Sequence, residues 1–282
     1  CCRQLEICYR SDYSYQKLLV FLEKDLMKSL QLKVLSVVAS ALAVVGVAVA
    51  PQATAAERNL VAFGDSVLAD PDAGSYFAHR FDPSKDVGVD CPTSNNYAKR
   101  AGAKLRLPVR DFSCSGAVSM SRGPQIFQQV DAAIRTGALS PATNRVVITT
   151  GFNDTYNHRD MSLPQIRKQF ADRTAPQIER IKRAAPNARV QIVGYPTIGT
   201  GPYYCLFHFG PRPADSTFLP GIQDFENKAQ WMQVDLAART GVQFLDMKPS
   251  TRNNGMCADA NQRMWAGLVD FTGGDGNLPI HM

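Results

Sequence analysis

The sequence predicts an α/β fold of three layers, α/β/α, with a mainly parallel sheet in the middle. Short apolar runs that are typical of buried strands alternate with longer segments whose apolar residues recur every three or four positions. This alternation is typical of parallel strands that are joined by helices on both faces of a sheet. The sequence shows no internal repeat and no linker, so we expect one folded domain.

The elements follow one another along the chain in a regular order. We predict strands at Leu60–Phe63, Leu107–Phe112, Arg145–Thr150, Arg189–Val193 and Val242–Leu245. Helices are predicted between them at Asn95–Leu105, Pro124–Thr136, Leu163–Ala184 and Ile222–Thr240. The segment Gly194–Gly221 is rich in glycine and proline, and we interpret it as a long loop over the edge of the sheet that carries the chemistry.

Residues 27–55 are typical of a secretory signal peptide. A basic stretch up to Lys33 precedes the apolar run Val34–Ala50, and Ala53 and Ala55 supply small residues two apart. A membrane anchor is the alternative interpretation, but the apolar run is shorter than the roughly 20 residues that a spanning helix needs. We therefore predict a protein that is secreted to an extracellular, oxidising compartment.

The folded domain is predicted at residues 56–282. Residues 1–26 precede Met27, the first methionine, and we interpret them as translated upstream sequence. The chain carries a net charge of +6 with scattered basic residues, which does not resemble a nucleic-acid interface. Peripheral contact with a lipid or envelope surface is compatible with this charge, and we expect a monomer.

The cysteines of this domain are Cys91, Cys114, Cys205 and Cys257. An even number of cysteines in an exported protein indicates two disulfides, and four thiols allow three pairings. We favour Cys91–Cys114 with Cys205–Cys257, because this pairing closes two separate long loops. A zinc site is the alternative, but the ligand spacing is wrong for one, so we expect no metal.

A candidate nucleophile follows the first predicted strand. Gly64-Asp65-Ser66 comes directly after an apolar run, so the Ser66 hydroxyl is expected at the carboxyl edge of the sheet, where open α/β sheets place their chemistry. Gly64 allows a tight turn and Asp65 can bond nearby backbone. Gly-Asp-Ser alone is also an ordinary turn sequence.

The next two strand ends carry hydrogen-bond donors. Ser115-Gly116 follows the second predicted strand, and Gly151-Phe152-Asn153-Asp154 follows the third. Backbone N–H groups and an asparagine amide are the donors that a tetrahedral acyl intermediate needs. Together these segments suggest acyl transfer.

In this order and context, Gly64-Asp65-Ser66, Gly116, Gly151-x-Asn153-Asp154 and a late His281 resemble the SGNH (GDSL-type) hydrolases. The cysteine segments resemble the secreted actinobacterial esterase/lipase branch, where the cysteines corresponding to Cys91 and Cys114 are paired. The resemblance implies a flavodoxin-like SGNH hydrolase fold without a cofactor. It also implies Ser66 as nucleophile, an oxyanion hole from Ser66, Gly116 and Asn153, and His281 as base.

His281 is also favoured over the other histidines as the base that a serine nucleophile requires. We interpret His79 as structural or as part of a pocket wall, while His158 and His208 could contact substrate. The family usually places an aspartate three residues before the histidine, but this position is Leu278.

Two aspartates lie near that position but out of register. Asp275 is our candidate for the third member of a triad, and Asp270 lies further away. The alternative is a serine–histidine dyad in which a backbone carbonyl orients the ring. The family also places a helix after the histidine, so we expect residues 56–282 to be a domain truncated at its C-terminus.

We predict a lipase or carboxylesterase that cleaves small-molecule or lipid acyl esters through a Ser66 acyl-enzyme. Apolar residues of the long loop either wall an acyl pocket or cover the sheet edge: Tyr203, Tyr204, Leu206, Phe207, Phe209, Phe218 and Leu219. The alternatives are a deacetylase of polysaccharide or envelope glycan, a non-catalytic binding protein on the same scaffold, and a thiol-dependent enzyme.

Overall fold

A five-stranded sheet forms the centre of the fold in residues 57–86, 88–272 and 279–282, the part of the chain that the computed structural model describes. Its strands are β1 (Leu60–Gly64), β2 (Val109–Asp111), β3 (Arg145–Thr149), β4 (Arg189–Val193) and β5 (Gln243–Leu245). The spatial order is β2-β1-β3-β4-β5, and every neighbouring pair is parallel. All the strands therefore end at the same edge of the sheet.

Helices connect these strands. They are α1 (Ser66–Ala69), α2 (Ala73–Phe81), α3 (Tyr97–Leu105), α4 (Ile126–Arg135), α5 (Phe152–Asn157), α6 (Leu163–Ala184), α7 (Pro220–Thr240) and α8 (Lys248–Thr251). The longest helix, α6, begins with a capping box in which Ser162 and Gln165 satisfy each other's backbone N–H groups.

Alternate residues of the strands point to opposite faces of the sheet, and helices cover both faces. On one face, Phe63 and Ile148 belong to a core that includes Phe170 of α6 and Met232 of α7. On the other face, a smaller core joins sheet residues to Leu68 of α1 and to α3. The predicted three-layer α/β/α fold with a parallel sheet is confirmed.

The segment Gly194–Gly221 is not only a loop, as the sequence had suggested. It contains two-residue strands at Tyr203–Tyr204, Phe207–His208 and Thr217–Phe218, and Pro220 already belongs to α7. Tyr203–Tyr204 pairs with Thr217–Phe218, and Phe207–His208 pairs with Val269–Asp270. These pairings hold the segment in a defined shape at the carboxyl edge of the sheet.

Some expectations fall on residues outside the described ones. The upstream segment 1–26, the signal peptide 27–55 and the triad candidate Asp275 all lie there. Within the described part of the chain, no helix combines the length and the apolar character that crossing a membrane requires.

Candidate active site

Ser66 lies where β1 ends and α1 begins, at the carboxyl edge of the sheet. The Asp65 N–H donates to the Thr149 carbonyl at 3.0 Å, which continues the pairing with β3 up to the nucleophile. A Cβ on Gly64 would lie 2.5 Å from the same carbonyl oxygen, so only glycine fits this approach. The sharp turn that follows presents Ser66 at the end of a buried strand.

His281 contacts Ser66 directly. The distance between His281 Nε2 and Ser66 Oγ is 2.8 Å, and His281 Nδ1 lies 2.8 Å from the Pro279 carbonyl oxygen. A carbonyl oxygen only accepts, so the proton of the neutral ring is on Nδ1 and Nε2 is left to accept from the serine hydroxyl. This is the tautomer that a general base needs.

Burial controls the basicity of this histidine. It lowers the pKa of the His281 imidazole below its ordinary value, while the Pro279 carbonyl opposes that shift. The ring is therefore neutral at pH 7.

The backbone around His281 is held in an unusual shape. Ile280 has φ +60°, a left-handed conformation that β-branched residues rarely adopt. The Ile280 N–H donates to the Gly267 carbonyl at 3.1 Å, and the Ala266 N–H donates to the His281 carbonyl at 2.6 Å. These bonds fix the turn in which the His281 ring folds back onto Pro279.

In a catalytic triad an acidic side chain would accept the hydrogen bond from Nδ1 of the histidine. Among the described residues, the backbone carbonyl of Pro279 takes this place. Asp270, the more distant of the two aspartates considered, accepts from Arg263 at 2.7 Å and from the Thr272 N–H at 2.9 Å. It is engaged in bracing the segment after Trp265 and does not orient the ring. The described contacts thus match the dyad interpretation, with Pro279 supplying the acceptor.

Tyr195 joins the nucleophile turn to the turn after β3. Its hydroxyl donates to Asp65 Oδ2 and accepts from the Phe152 N–H at 3.0 Å. Asp65 also accepts from the Val67 N–H at 3.0 Å. Burial raises the pKa of Asp65 to about 7, against the lowering effect of these two donors. Tyr195 lies just beyond the end of β4, and no pattern in the sequence around it indicates this role.

Gly116 and Asn153 lie on adjoining turns after β2 and β3, and Gly116 is not among the residues that line the cavity beside Ser66. Gly116 has φ +79°, and a Cβ there would meet no atom within 4 Å, so the glycine is required by the backbone conformation alone. The Asn153 amide donates to the Ala117 carbonyl at 2.9 Å, which leaves its second N–H for a ligand. Asn153 lines the same cavity as Ser66 and His281.

Asp154 ties these two turns together. The buried carboxylate accepts from the backbone N–H groups of Ser119, Met120 and Ser121 at 2.8, 3.1 and 2.9 Å. It also accepts from the Ser121 hydroxyl at 2.6 Å. Asp154 therefore fixes the segment after Gly116 against the turn that carries Asn153.

A cavity of about 330 Å³ opens beside the Ser66–His281 pair. Its lining is mainly apolar and includes Val67, Phe152, Ile198, Tyr204, Leu206, Leu219, Ile222, Met256 and Trp265. Of the long-loop residues singled out from the sequence, Tyr204, Leu206 and Leu219 form part of this wall. The others, Tyr203, Phe207, Phe209 and Phe218, are exposed on the surface instead.

The remaining histidines are not among the residues that line this cavity. His208 is fully buried and its Nε2 lies 2.9 Å from the Cys205 carbonyl, so the suggestion that it touches substrate is wrong. His79 lies on α2, and His158 ends α5. His281 is the histidine that the structure brings to Ser66.

The cysteines form the two predicted pairs, Cys91–Cys114 and Cys205–Cys257. None of these four sulfurs, which are all the cysteines among the described residues, is therefore a free thiol that could serve as a nucleophile. Within the described residues, no group of three or more His, Cys, Asp or Glu side chains could hold a metal ion.

Three solved structures are similar to this chain. Phospholipase A1 from Streptomyces albidoflavus NA297 is 19% identical with a TM-score of 0.49, and the match covers 80% of this chain and 93% of that one. An extracellular lipase from Streptomyces rimosus is 18% identical with a TM-score of 0.43, over 79% and 93%. A family two carbohydrate esterase from Clostridium thermocellum is 16% identical with a TM-score of 0.41, over 71% and 56%.

A comparison with curated proteins gives no match. The family model described as the GDSL-like Lipase/Acylhydrolase family matches residues 62–282, which include the Ser66 turn, both donor turns and His281. The chain belongs to the GDSL-like lipase/acylhydrolase family.

Proposed function

We propose that this protein hydrolyses carboxylic esters with apolar acyl groups through a covalent Ser66 acyl-enzyme. One observation carries the proposal: Ser66 Oγ lies 2.8 Å from His281 Nε2 at the edge of an apolar cavity. A hydroxyl that donates to a neutral imidazole is the arrangement that activates a serine nucleophile. Membership of an ester-cleaving family supports the same chemistry.

In the first half-reaction, Ser66 Oγ attacks the ester carbonyl carbon while its proton passes to His281 Nε2. The negative charge that develops on the carbonyl oxygen is stabilised by the N–H groups of Ser66 and Gly116 and by the Asn153 amide. The tetrahedral intermediate then expels the alcohol oxygen, which takes the proton from His281. The acyl group remains on Ser66.

Water completes the cycle. It loses a proton to His281 Nε2 and attacks the acyl carbon, and the second intermediate expels Ser66 Oγ, which recovers the proton. During both steps the Pro279 carbonyl accepts a hydrogen bond from His281 Nδ1–H and keeps the imidazole ring oriented. A neutral carbonyl stabilises the imidazolium less than a carboxylate does, since it carries no net charge.

The cavity supports apolar acyl groups as the substrate class. Carbon chains gain about 25 cal/mol for each Å² that they bury, and the wall formed by Leu206, Met256 and Trp265 offers such burial. An acetyl group would leave most of the 330 Å³ unfilled. We therefore propose a lipase or carboxylesterase rather than a deacetylase.

The test is hydrolysis of p-nitrophenyl acetate, butyrate, octanoate and palmitate by the full chain, expressed in a host that exports it so that the disulfides form. We expect kcat/KM to rise from acetate to at least butyrate. Ser66→Ala should abolish turnover, and His281→Ala should lower kcat by about 10²–10⁴-fold. The controls Ser250→Ala and His158→Ala should retain wild-type kinetics.

Each rival interpretation has its own outcome. A strict preference for acetate that depends on Ser66 would favour the deacetylase. A folded protein with no Ser66-dependent turnover of any ester would favour the non-catalytic binding protein.

We also propose that the protein is secreted. The two disulfides support an oxidising compartment, since such bonds are rare in reducing ones. Membership of the secreted actinobacterial branch and the monomeric state remain predictions from the sequence.

A further inference from the structure

The side-chain amide of Asn153, which we assign to the oxyanion hole, is hydrogen-bonded at both of its ends. Its Nδ2 donates to the Ala117 carbonyl at 2.9 Å, and its Oδ1 accepts from the Tyr156 hydroxyl at 3.1 Å. A carbonyl oxygen only accepts, so the bond to Ala117 sets the place of the amide nitrogen, while the bond from Tyr156 sets the place of the amide oxygen. The two bonds together fix the orientation of the amide.

The helix α5 places Tyr156 for this contact. Tyr156 lies three residues after Asn153 on α5, so the two side chains are neighbours on one side of the helix. Both residues line the cavity that also contains Ser66. The ring of Tyr156 packs edge to face against Phe225 of α7, with the centroids 6.5 Å apart. The ring contact and the hydroxyl bond therefore use different parts of the Tyr156 side chain.

The Tyr156 hydroxyl stays a hydrogen-bond donor at neutral pH. Burial raises the pKa of Tyr156 above its ordinary value, and the nearby carboxylates of Asp65 and Asp154 raise this pKa further. Among the described residues, Tyr156 is the one whose side chain donates to Asn153 Oδ1. No other side chain of the described structure can take over this bond without a rearrangement.

The bond from Tyr156 can affect catalysis through the amide. A hydrogen bond accepted by the amide oxygen polarises the amide and strengthens its N–H groups as donors. Negative charge develops on the ester carbonyl oxygen only as Ser66 attacks, so a stronger and better-aimed Asn153 N–H stabilises the transition state more than the bound ester. The expected effect is therefore on kcat and not on KM.

We propose that Tyr156 is a positioning residue that orients and polarises the Asn153 amide for the oxyanion. This inference rests on the proposed ester hydrolysis and on the assignment of Asn153 to the oxyanion hole. Tyr156 acts on the reaction through Asn153 and not by contact with the reacting atoms.

The test is a double-mutant cycle on p-nitrophenyl butyrate with the full chain. Tyr156→Phe keeps the ring and removes the hydroxyl, so we expect kcat to fall about 3- to 10-fold with KM changed by less than about twofold. Asn153→Ala should lower kcat by about 10²–10³-fold. In the Asn153→Ala background, Tyr156→Phe should change kcat by less than about twofold, because the hydroxyl then has no amide to act through.

Tyr203→Phe is the matched control. Tyr203 is 45% exposed against 47% for Tyr156, its ring contacts Phe218, and it is not among the residues that line the cavity. This variant should retain wild-type kinetics.

Wild-type kcat in Tyr156→Phe would overturn the proposal. So would the same fold-loss from Tyr156→Phe with and without the Asn153 amide, since that result indicates a direct contact with the substrate or a structural role. Wild-type kcat in Asn153→Ala would also overturn the proposal, but it would leave Ser66-dependent ester hydrolysis standing. Absence of Ser66-dependent turnover in the wild type would instead refute ester hydrolysis itself.

Discussion

Tyr195→Phe removes one oxygen atom that connects the nucleophile turn to the oxyanion turn. The hydroxyl bonds both Asp65 Oδ2 and the Phe152 N–H, and the residue is buried. The ring would stay in place, since its edge-to-face contact with Phe152, with centroids 5.5 Å apart, does not involve the hydroxyl. The substitution therefore tests the hydrogen bonds and not the packing.

The expected loss of stability follows from two groups that lose their partner. A buried polar atom without a partner costs about 1–3 kcal/mol, so Asp65 Oδ2 and the Phe152 N–H together predict a loss of at most about 2–6 kcal/mol. The Tyr195 hydroxyl lowers the pKa of Asp65, which is nevertheless about 7. Without it this pKa rises further, and protonation of Asp65 at pH 7 limits the loss.

The expected effect on catalysis follows from what the two turns carry. Asp65 precedes Ser66, and Phe152 precedes Asn153. Without the Tyr195 hydroxyl the two turns are no longer held together, so the distance between the Ser66 nucleophile and the Asn153 donor changes. A misplacement of about 1 Å can cost on the order of 10²-fold, so we expect kcat on p-nitrophenyl butyrate to fall about 10- to 100-fold. KM should change much less, because the cavity wall is intact.

The assays are urea unfolding and steady-state kinetics on the same preparations. Tyr203→Phe is the matched control, since Tyr203 is 45% exposed and its side chain contacts Phe218 through the ring. A Tyr195→Phe variant as stable as this control and with wild-type kcat would refute the reasoning.

Three more predictions concern the histidine, the cavity wall and the buried aspartate. The acid limb of the kcat/KM profile should have its midpoint below pH 6.5, because burial lowers the pKa of His281; a midpoint above 6.5 would contradict this. Glu226→Gln should lower stability by about 2–3 kcal/mol and reduce kcat/KM on octanoate more than on acetate, because Glu226 bonds Tyr204 of the cavity wall at 2.7 Å and Lys248 at 2.7 Å. Equal kinetic losses on the two esters would oppose that role. Asp65→Asn should gain in stability relative to wild type as pH rises from about 4 to 7. The folded pKa of Asp65 is raised from 3.8 to about 7, so its stabilising effect is full below pH 4 and is lost at about 1.4 kcal/mol per pH unit as pH rises. A difference in unfolding free energy between Asp65→Asn and the wild type that does not vary with pH would contradict this.

The sheet and the long helices could be predicted because burial leaves a clear pattern in the sequence. β4 and α6 have the predicted bounds, and β1 and β3 differ from theirs by one residue. Every residue of β1 is buried, so its run of apolar residues is uninterrupted. At β2 the prediction is too long at both ends, because its residues are partly exposed.

The helix α2 could not be predicted in this way. None of its residues is buried, so it has no apolar stripe facing a core. Its one local signal is Asp72, whose side chain caps the helix by accepting from the Ser75 N–H at 2.8 Å.

In the candidate site too, some residues could be predicted from local sequence patterns and others could not. Ser66, Asn153 and His281 line one cavity, and each was predicted from its strand-end or late position and from the resemblance to a known family. The place of Gly116 in the oxyanion hole stays a prediction, since Gly116 does not line that cavity. The Pro279 carbonyl could not be predicted, since every residue has a carbonyl and only the turn at Ile280 brings this one to the ring. Tyr195 was missed because a tyrosine 130 residues from Asp65 carries no local signal of the bond between them.

The most direct test of the central claim is intact-mass and peptide mass spectrometry after incubation with a butyl p-nitrophenyl phosphonate, which mimics the tetrahedral intermediate and traps activated serines. We predict one adduct per chain, located on Ser66, absent from Ser66→Ala and formed far more slowly in His281→Ala. An adduct on another residue, or no adduct on a folded protein, would contradict the claim that Ser66 is a nucleophile activated by His281.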